Sequence, residues 1–320
     1  MSLQIATVLG PVPAEAIGIT DAHNHAWIEA VPGADPGAPR LDDRTRILRE
    51  LKAYRAAGGS ALVDCQPGGC GRDGNVLARL AEESGVHIIA STGFHLRRYY
   101  GPGAPLWQMT ADEARDYFLA EIRRGLSETR DGEHVVRPGL IKIAAEATLA
   151  QSPRPLLEAA AAAARESAYA LEVHTEKGAA VEALLDFFLD AGLSPSQLVF
   201  CHVDKRPDFE LHRALAEAGV MLEYDTFFRP KYDPERHLWP LIDRMVAAGH
   251  GRRLALATDM ADSGMWRSYG GGPGLVAFVT KIKPRLQEMG IGETMIKQLL
   301  GGNILRRVAV LRDTSFDAVA

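Results

Sequence analysis

Eight short runs of β-branched and apolar residues recur along nearly the whole chain, alternating with longer stretches whose apolar residues fall at three- and four-residue spacing. The runs are Ile17–His23, Ala61–Cys65, His87–Ser91, Leu140–Ala144, Ala170–His174, Leu198–His202, Val220–Asp225 and Leu254–Asp259. Such alternation is the pattern of βα units feeding a parallel sheet. Helices are predicted over stretches such as Arg44–Ala57, Ala111–Leu126, Pro155–Tyr169, Val181–Ala191 and Pro234–Ala248. The alanine run Ala159–Ala164 belongs to one of them, alanine being the best helix former. Gly58-Gly59 is expected to end the first helix, and Pro234 to take a first helical position behind an Asp233 N-cap. Eight units in 320 residues, 47% of them hydrophobic, predict an α/β fold: a (β/α)₈ TIM-type barrel, one domain over residues 1–320.

A net charge of −5 without a dense Lys/Arg block gives no electrostatic footprint for nucleic acid. The apolar stretch from Leu3 to Ile19 contains two prolines and an acid and lacks a basic start, unlike a signal peptide. Other apolar runs fall short of the ~20 residues of a spanning helix. A soluble cytoplasmic protein is expected. Cys65, Cys70 and Cys201 match no disulfide framework or zinc ribbon and read as small buried or loop thiols.

Chemistry-bearing residues gather at the C-terminal ends of the predicted strands, the active-site face of such a barrel. His23 and His25 stand at i and i+2, on one side of an extended backbone, so both imidazoles can reach one cation. His174 and His202 end two further strands; each taken singly also reads as a hydrogen-bonded core or surface histidine. Asp259 ends the eighth run, where it can cap a turn, or bind metal and take a proton from water. Lys142 sits inside an apolar strand, where an ammonium is costly unless paired, for instance with Glu146, turned outward, or neutralised.

Taken together, Asp21-Ala22-His23-Asn24-His25, Leu62-Val63-Asp64, Ile88-Ile89-Ala90-Ser91-Thr92-Gly93, Gly139-Leu140-Ile141-Lys142, Glu172-Val173-His174-Thr175, Cys201-His202-Val203-Asp204 and Ala257-Thr258-Asp259 resemble the phosphotriesterase branch of the amidohydrolase superfamily. The resemblance runs from Gly10-Pro11 to Gly301-Gly302-Asn303-Ile304. It implies two divalent cations: a buried one on His23, His25 and Asp259, and an exposed one on His174 and His202, with a carbamate on Lys142 bridging them. Zinc is the first choice of metal, with manganese, cobalt and iron also suited to these ligands. It further implies hydrolysis by a hydroxide shared between the cations, with Asp259 as the proton acceptor.

Two connections exceed ordinary length, Leu96–Thr110 and Met260–Gly274, and long loops after barrel strands carry specificity. The chain leaving strand seven brings Arg229, Lys231 and Tyr232, and the loop after strand eight brings Arg267, Ser268 and Tyr269 ahead of Gly270-Gly271-Gly272. Loops at these places often bind phosphate, and their cations suggest an anionic substrate tail. The segment is also similar to the family branch that opens phosphorylated sugar lactones, which is the leading expectation. The alternatives are a lactonase or esterase on unphosphorylated substrates with promiscuous phosphotriesterase activity, and a non-catalytic barrel that binds a ligand. The expected partner is an anionic small molecule, with self-association into a homo-oligomer allowed and neither nucleic acid nor membrane involved.

Overall fold

In a computed structural model that describes residues 3–311, the eight predicted runs become the staves of one parallel barrel. They are Ile19–Asn24, Gly59–Asp64, a third stave made of His87–Ile89 and Ser91–Gly93, then Leu140–Ala144, Leu171–His174, Leu198–Cys201, Met221–Tyr224 and Leu254–Leu256. Staves one to three pair in order, as do three to eight. Every pairing between these staves is parallel. The ring closes where the Asp259 N–H donates to the His23 carbonyl at 3.0 Å. Asp21 adds to that seam by accepting from the Thr258 backbone N–H at 3.1 Å and from the Thr258 hydroxyl.

Several boundaries differ from the sequence expectation for local reasons. Ile17 lies below the first stave in the apolar plug, with Ile5, Ile304, Leu305 and Val308. The third stave breaks at Ala90, whose carbonyl accepts from Gly139. Staves six and eight end earlier than expected because His202 and Asp259 turn to φ of 64° and 46°. Asp233, at φ 45°, is not an extended N-cap, and the helix behind it runs over Leu238–Ala247, not from Pro234. Gly58 does end the first helix, with φ of 103°, but Gly59 already belongs to stave two, where a Cβ would collide with the Tyr54 ring.

Helices lie outside the barrel and bury apolar stripes against it. Arg44–Ala56 is capped by the Asp43 side chain, which accepts from Arg46 N–H. Ala111–Arg124 starts with a Thr110/Glu113 capping box. Alanines 159, 160, 161, 163 and 164 are buried in Arg154–Ser167, where their small size lets the helix approach closely. Below helix Ala111–Arg124, the fully buried Arg72 guanidinium meets Glu121 at 2.6 Å and Glu128 at 2.8 Å. Beneath the barrel, strand Leu3–Thr7 pairs antiparallel with Gly10–Pro13 and with Val310–Leu311. Among the described residues no helix is long and apolar enough to cross a membrane. Cys65, Cys70 and Cys201 are buried and unpaired.

One long connection escaped the sequence reading. Between stave one and the first helix, Ile28 and Leu41 bridge each other. Glu29 N–H bonds Gly71 and Asp35 N–H bonds Arg98. This loop is therefore tied to the loops after staves two and three and forms one wall over the barrel mouth.

Candidate metal centre

Four imidazoles converge at the C-terminal mouth. Ring centroids lie 5.5 Å apart for His23 and His25, 4.9 Å for His23 and His202, and 4.6 Å for His174 and His202. Asp259 Oδ1 lies 3.8 Å from His23 Nε2 and 3.6 Å from His25 Nε2. Ligand atoms of His23, His202 and Asp259 all fall within 4.8 Å of one another, as do those of two other groups, His23/Glu172/Cys201/Glu223 and His202/Glu223/Asp225. Burial lowers the basicity of His23, His174 and His202, with the Lys142 charge pressing the same way on each. They are thereby held as neutral imidazoles, the form that binds metal.

The local backbone explains the convergence. His202 and Asp259 both adopt left-handed φ, which is unfavourable for a residue with a Cβ and concentrates at functional sites. That turn swings each side chain from its stave end over the barrel axis. Gly93 permits the close approach of staves three and four, since a Cβ there would lie 1.9 Å from the Lys142 carbonyl oxygen.

Lys142 is buried inside the barrel, and its ion-pair partner is Glu172 at 3.8 Å, not Glu146. Burial opposes its charge, but the Cys201 and Cys65 sulfurs and the Glu172 and Glu223 carboxylates outweigh that and push its pKa up. Among the described residues its Nζ has no hydrogen-bond partner, and Nε2 of His174 has only the Glu176 carboxylate at 3.5 Å. Buried polar atoms left this way mark a site completed by something else. Four imidazoles and a carboxylate are a donor set for divalent cations, and they fit the implied pair of metals.

Asp259 serves no cap. Burial alone would raise its pKa, but His202, His25, Arg229 and Lys205 hold it well below the usual carboxylate range. Arg229, an expected substrate cation, donates to the Asp259 carboxylate at 2.9 Å. Lys205 Nζ stands 3.4 Å from Asp225 and 3.9 Å from Asp259. Lys205 and Lys231 both approach the Tyr232 ring, at 6.0 and 5.1 Å. Arg267 is exposed on the far loop, and Tyr269 accepts from Asp43 N–H, bracing the first helix.

A cavity of about 370 Å³ opens above the cluster, bordered by His23, His25, His174 and Asp259. Its walls come mainly from the unanticipated first loop, including Glu29, Asp35 and Arg40, and from Gln66, His95 and Tyr99. Arg229, Lys231, Tyr232 and Arg267 are not among the residues that border it. His95 was also missed. Its Nδ1 accepts the Leu96 N–H at 2.8 Å, so the ring, held neutral by burial, carries its proton on Nε2, and its centroid lies 5.1 Å from that of His174 with the rings tilted by 53°. The buried Glu223 and Asp225 had a legible signal, because acids at alternate positions of an apolar run point to one face, as Glu172 and His174 do in stave five.

The sequence profile of the phosphotriesterase family matches residues 3–307. A phospho-furanose lactonase of Mycoplasmopsis synoviae (strain 53) is 28% identical over 335 residues, covering 97% of this chain and 93% of the relative. An N-acetyltaurine hydrolase of Rattus norvegicus is 27% identical over 350 residues, covering 95% and 97%. Among solved structures, a lactonase from Listeria monocytogenes superimposes with TM-score 0.86 at 22% identity, over 97% of this chain and 100% of that one. An amidohydrolase from Mycoplasma synoviae gives TM-score 0.83 at 26% identity, over 98% and 93%. With a cluster of metal-ligating side chains at the mouth of the barrel and this match over nearly its full length, the chain belongs to the phosphotriesterase family and is a metal-dependent hydrolase.

Proposed function

We propose that the protein opens phosphorylated sugar lactones, with two divalent cations held by His23, His25, Lys142 as its carbamate, His174, His202 and Asp259. The carrying observation is the cluster of His23, His25, His174 and Asp259 beneath the cavity, with exposed cations Lys231 and Arg267 on the loops after staves seven and eight left to meet an anionic group. An anionic substrate tail is favoured there, since charge-assisted hydrogen bonds are about twice as strong as neutral ones. The identity to phospho-furanose lactonases, 27–28% over nearly the whole chain, supports the same reading.

An ammonium at Lys142 would repel cations, whereas a carbamate on its Nζ would offer them oxygens in its place. When bound, such metals supply Lewis acidity and lower the pKa of water toward neutrality. Asp259, ionised and held by Arg229, takes the proton released in attack on the lactone carbonyl and passes it toward the leaving oxygen. The His95 Nε2–H offers a neutral donor to substrate oxygens at the cavity wall.

A second reading, hydrolysis of an amide that carries a sulfonate, is favoured by the 27% identity to an N-acetyltaurine hydrolase. The same cations would suit a sulfonate. Steady-state assays on phosphorylated aldonolactones, unphosphorylated aldonolactones and N-acyl aminosulfonates separate these readings. The highest kcat/KM is expected on a phosphorylated lactone; a clear preference for either other class would overturn the proposal.

A further inference from the structure

Directly beneath the imidazole cluster the barrel interior is polar: Lys142, Glu172 and Glu223 are each fully buried there. The two carboxylates meet at one atom, His23 Nδ1, which lies 2.8 Å from Glu223 Oε1 and 3.1 Å from Glu172 Oε1. One N–H cannot point at both, and neither contact has full hydrogen-bond alignment. The opposite nitrogen, Nε2, faces Asp259 Oδ1 at 3.8 Å, the same oxygen that His25 Nε2 approaches to 3.6 Å.

The arrangement repeats around the site. His25 Nδ1 is held by Gln66 Oε1 at 2.9 Å, and His202 Nδ1 is held by Asp225. In His23 and His25, then, Nδ1 is engaged from behind and Nε2 faces Asp259, whereas in His202 the same Nδ1 that meets Asp225 lies 3.8 Å from Asp259 Oδ2. Such outer partners orient a ligating imidazole and raise its basicity. Two buried glutamates are otherwise costly, and Lys142, the ion-pair partner of Glu172 at 3.8 Å, gives up its positive charge when it carries the carbamate.

We propose that Glu223 and Glu172 are positioning residues of the metal centre, receiving the Nδ1–H of His23 from inside the barrel and so fixing Nε2 as its ligating atom. This rests on the metal-centre reading above but not on the choice of substrate. The competing role, counter-ions of Lys142 only, predicts no effect on His23.

The test uses full-length protein stripped with a chelator and titrated with zinc, comparing wild type with Glu223→Gln, Glu223→Met, Glu172→Gln and Glu172→Met. Each Met variant is expected to bind one of two equivalents about 10–100-fold more weakly. Each Gln variant should stay close to wild type, because its amide oxygen still accepts the Nδ1–H. The metal-free Tm of Glu172→Met is expected to fall, since it leaves the buried Lys142 ammonium without its partner at 3.8 Å, so zinc stoichiometry and affinity, not Tm, carry the test. Should a Met variant fail to fold, nitrogen-15 NMR of wild-type imidazoles decides, with His23 expected to be protonated at Nδ1 and metal-bound at Nε2. Two equivalents at wild-type affinity in the Met variants, or metal at His23 Nδ1, would overturn the proposal. So would a third equivalent lost in Glu223→Gln with the other two retained, which would make the carboxylate layer a cation site. A failed lactone screen leaves these results untouched, whereas absence of any metal uptake by the wild type sinks the centre itself.

Discussion

One guanidinium nitrogen of Arg229 donates to both the carboxylate of Asp259, at 2.9 Å, and its backbone carbonyl. Asp259 sits at φ 46°, so the arginine clamps a strained residue in the orientation that brings it near His23 and His25. Arg229→Ala removes a charge-assisted bond of roughly 1.5–3 kcal/mol. Turnover should fall by about ten- to a hundredfold on every substrate. A rise in KM confined to phosphorylated substrates, with kcat intact, would instead put Arg229 at the substrate.

Replacing Lys142 with alanine should empty the centre of metal and abolish activity. A short carboxylic acid added to the Lys142→Ala protein should restore part of both, since its oxygens can stand in for the carbamate. Metal analysis checks this, and a fully metallated, fully active variant would rule the bridge out.

Asp259→Asn should reduce kcat far more than it alters KM, because a proton acceptor contributes mainly in the transition state. Steady-state kinetics at matched metal content measure it. Near-normal turnover would remove the proton-transfer role.

Lys231 and Arg267 are exposed cations on the loops after staves seven and eight. If they meet a substrate phosphate, alanine at either should lower activity on a phosphorylated lactone by about ten- to a hundredfold. An unphosphorylated lactone should be hydrolysed as before. Equal losses on both substrates would give these side chains a structural role.

The Arg72–Glu121 pair should make stability fall in acid. Burial alone would raise the Glu121 pKa, but Arg72 overrides it and brings the pKa down to about 2, below the ordinary 4.5. A depressed folded pKa contributes stability that is present above 4.5 and lost as pH falls toward 2. Denaturation of chelator-treated protein from pH 6 to 3 should show this slope, and Glu121→Gln should flatten it while costing roughly 1.5–3 kcal/mol at neutral pH. An unchanged slope in Glu121→Gln would mean other carboxylates govern acid unfolding.

The barrel, its strand order and the four histidines near Asp259 were legible in the chain because local periodicity determines them. A run such as Leu140–Ala144 must be strand, and parallel staves put their C-terminal ends on one face. What the sequence could not convey is how side chains from different staves share space. Lys142 and Glu172 are register partners across staves four and five, yet thirty positions apart in the chain, so the lysine looked equally able to pair with Glu146. Arg229 and Lys231 both looked like substrate cations, but only the turn after stave seven sends one to Asp259 and leaves the other exposed. The first loop carries no periodic signal, and its role as a cavity wall depends on backbone bonds to Gly71 and Arg98. Local sequence decides which elements form; long-range packing and electrostatics decide which charge meets which, because those energies exist only once distant staves lie side by side.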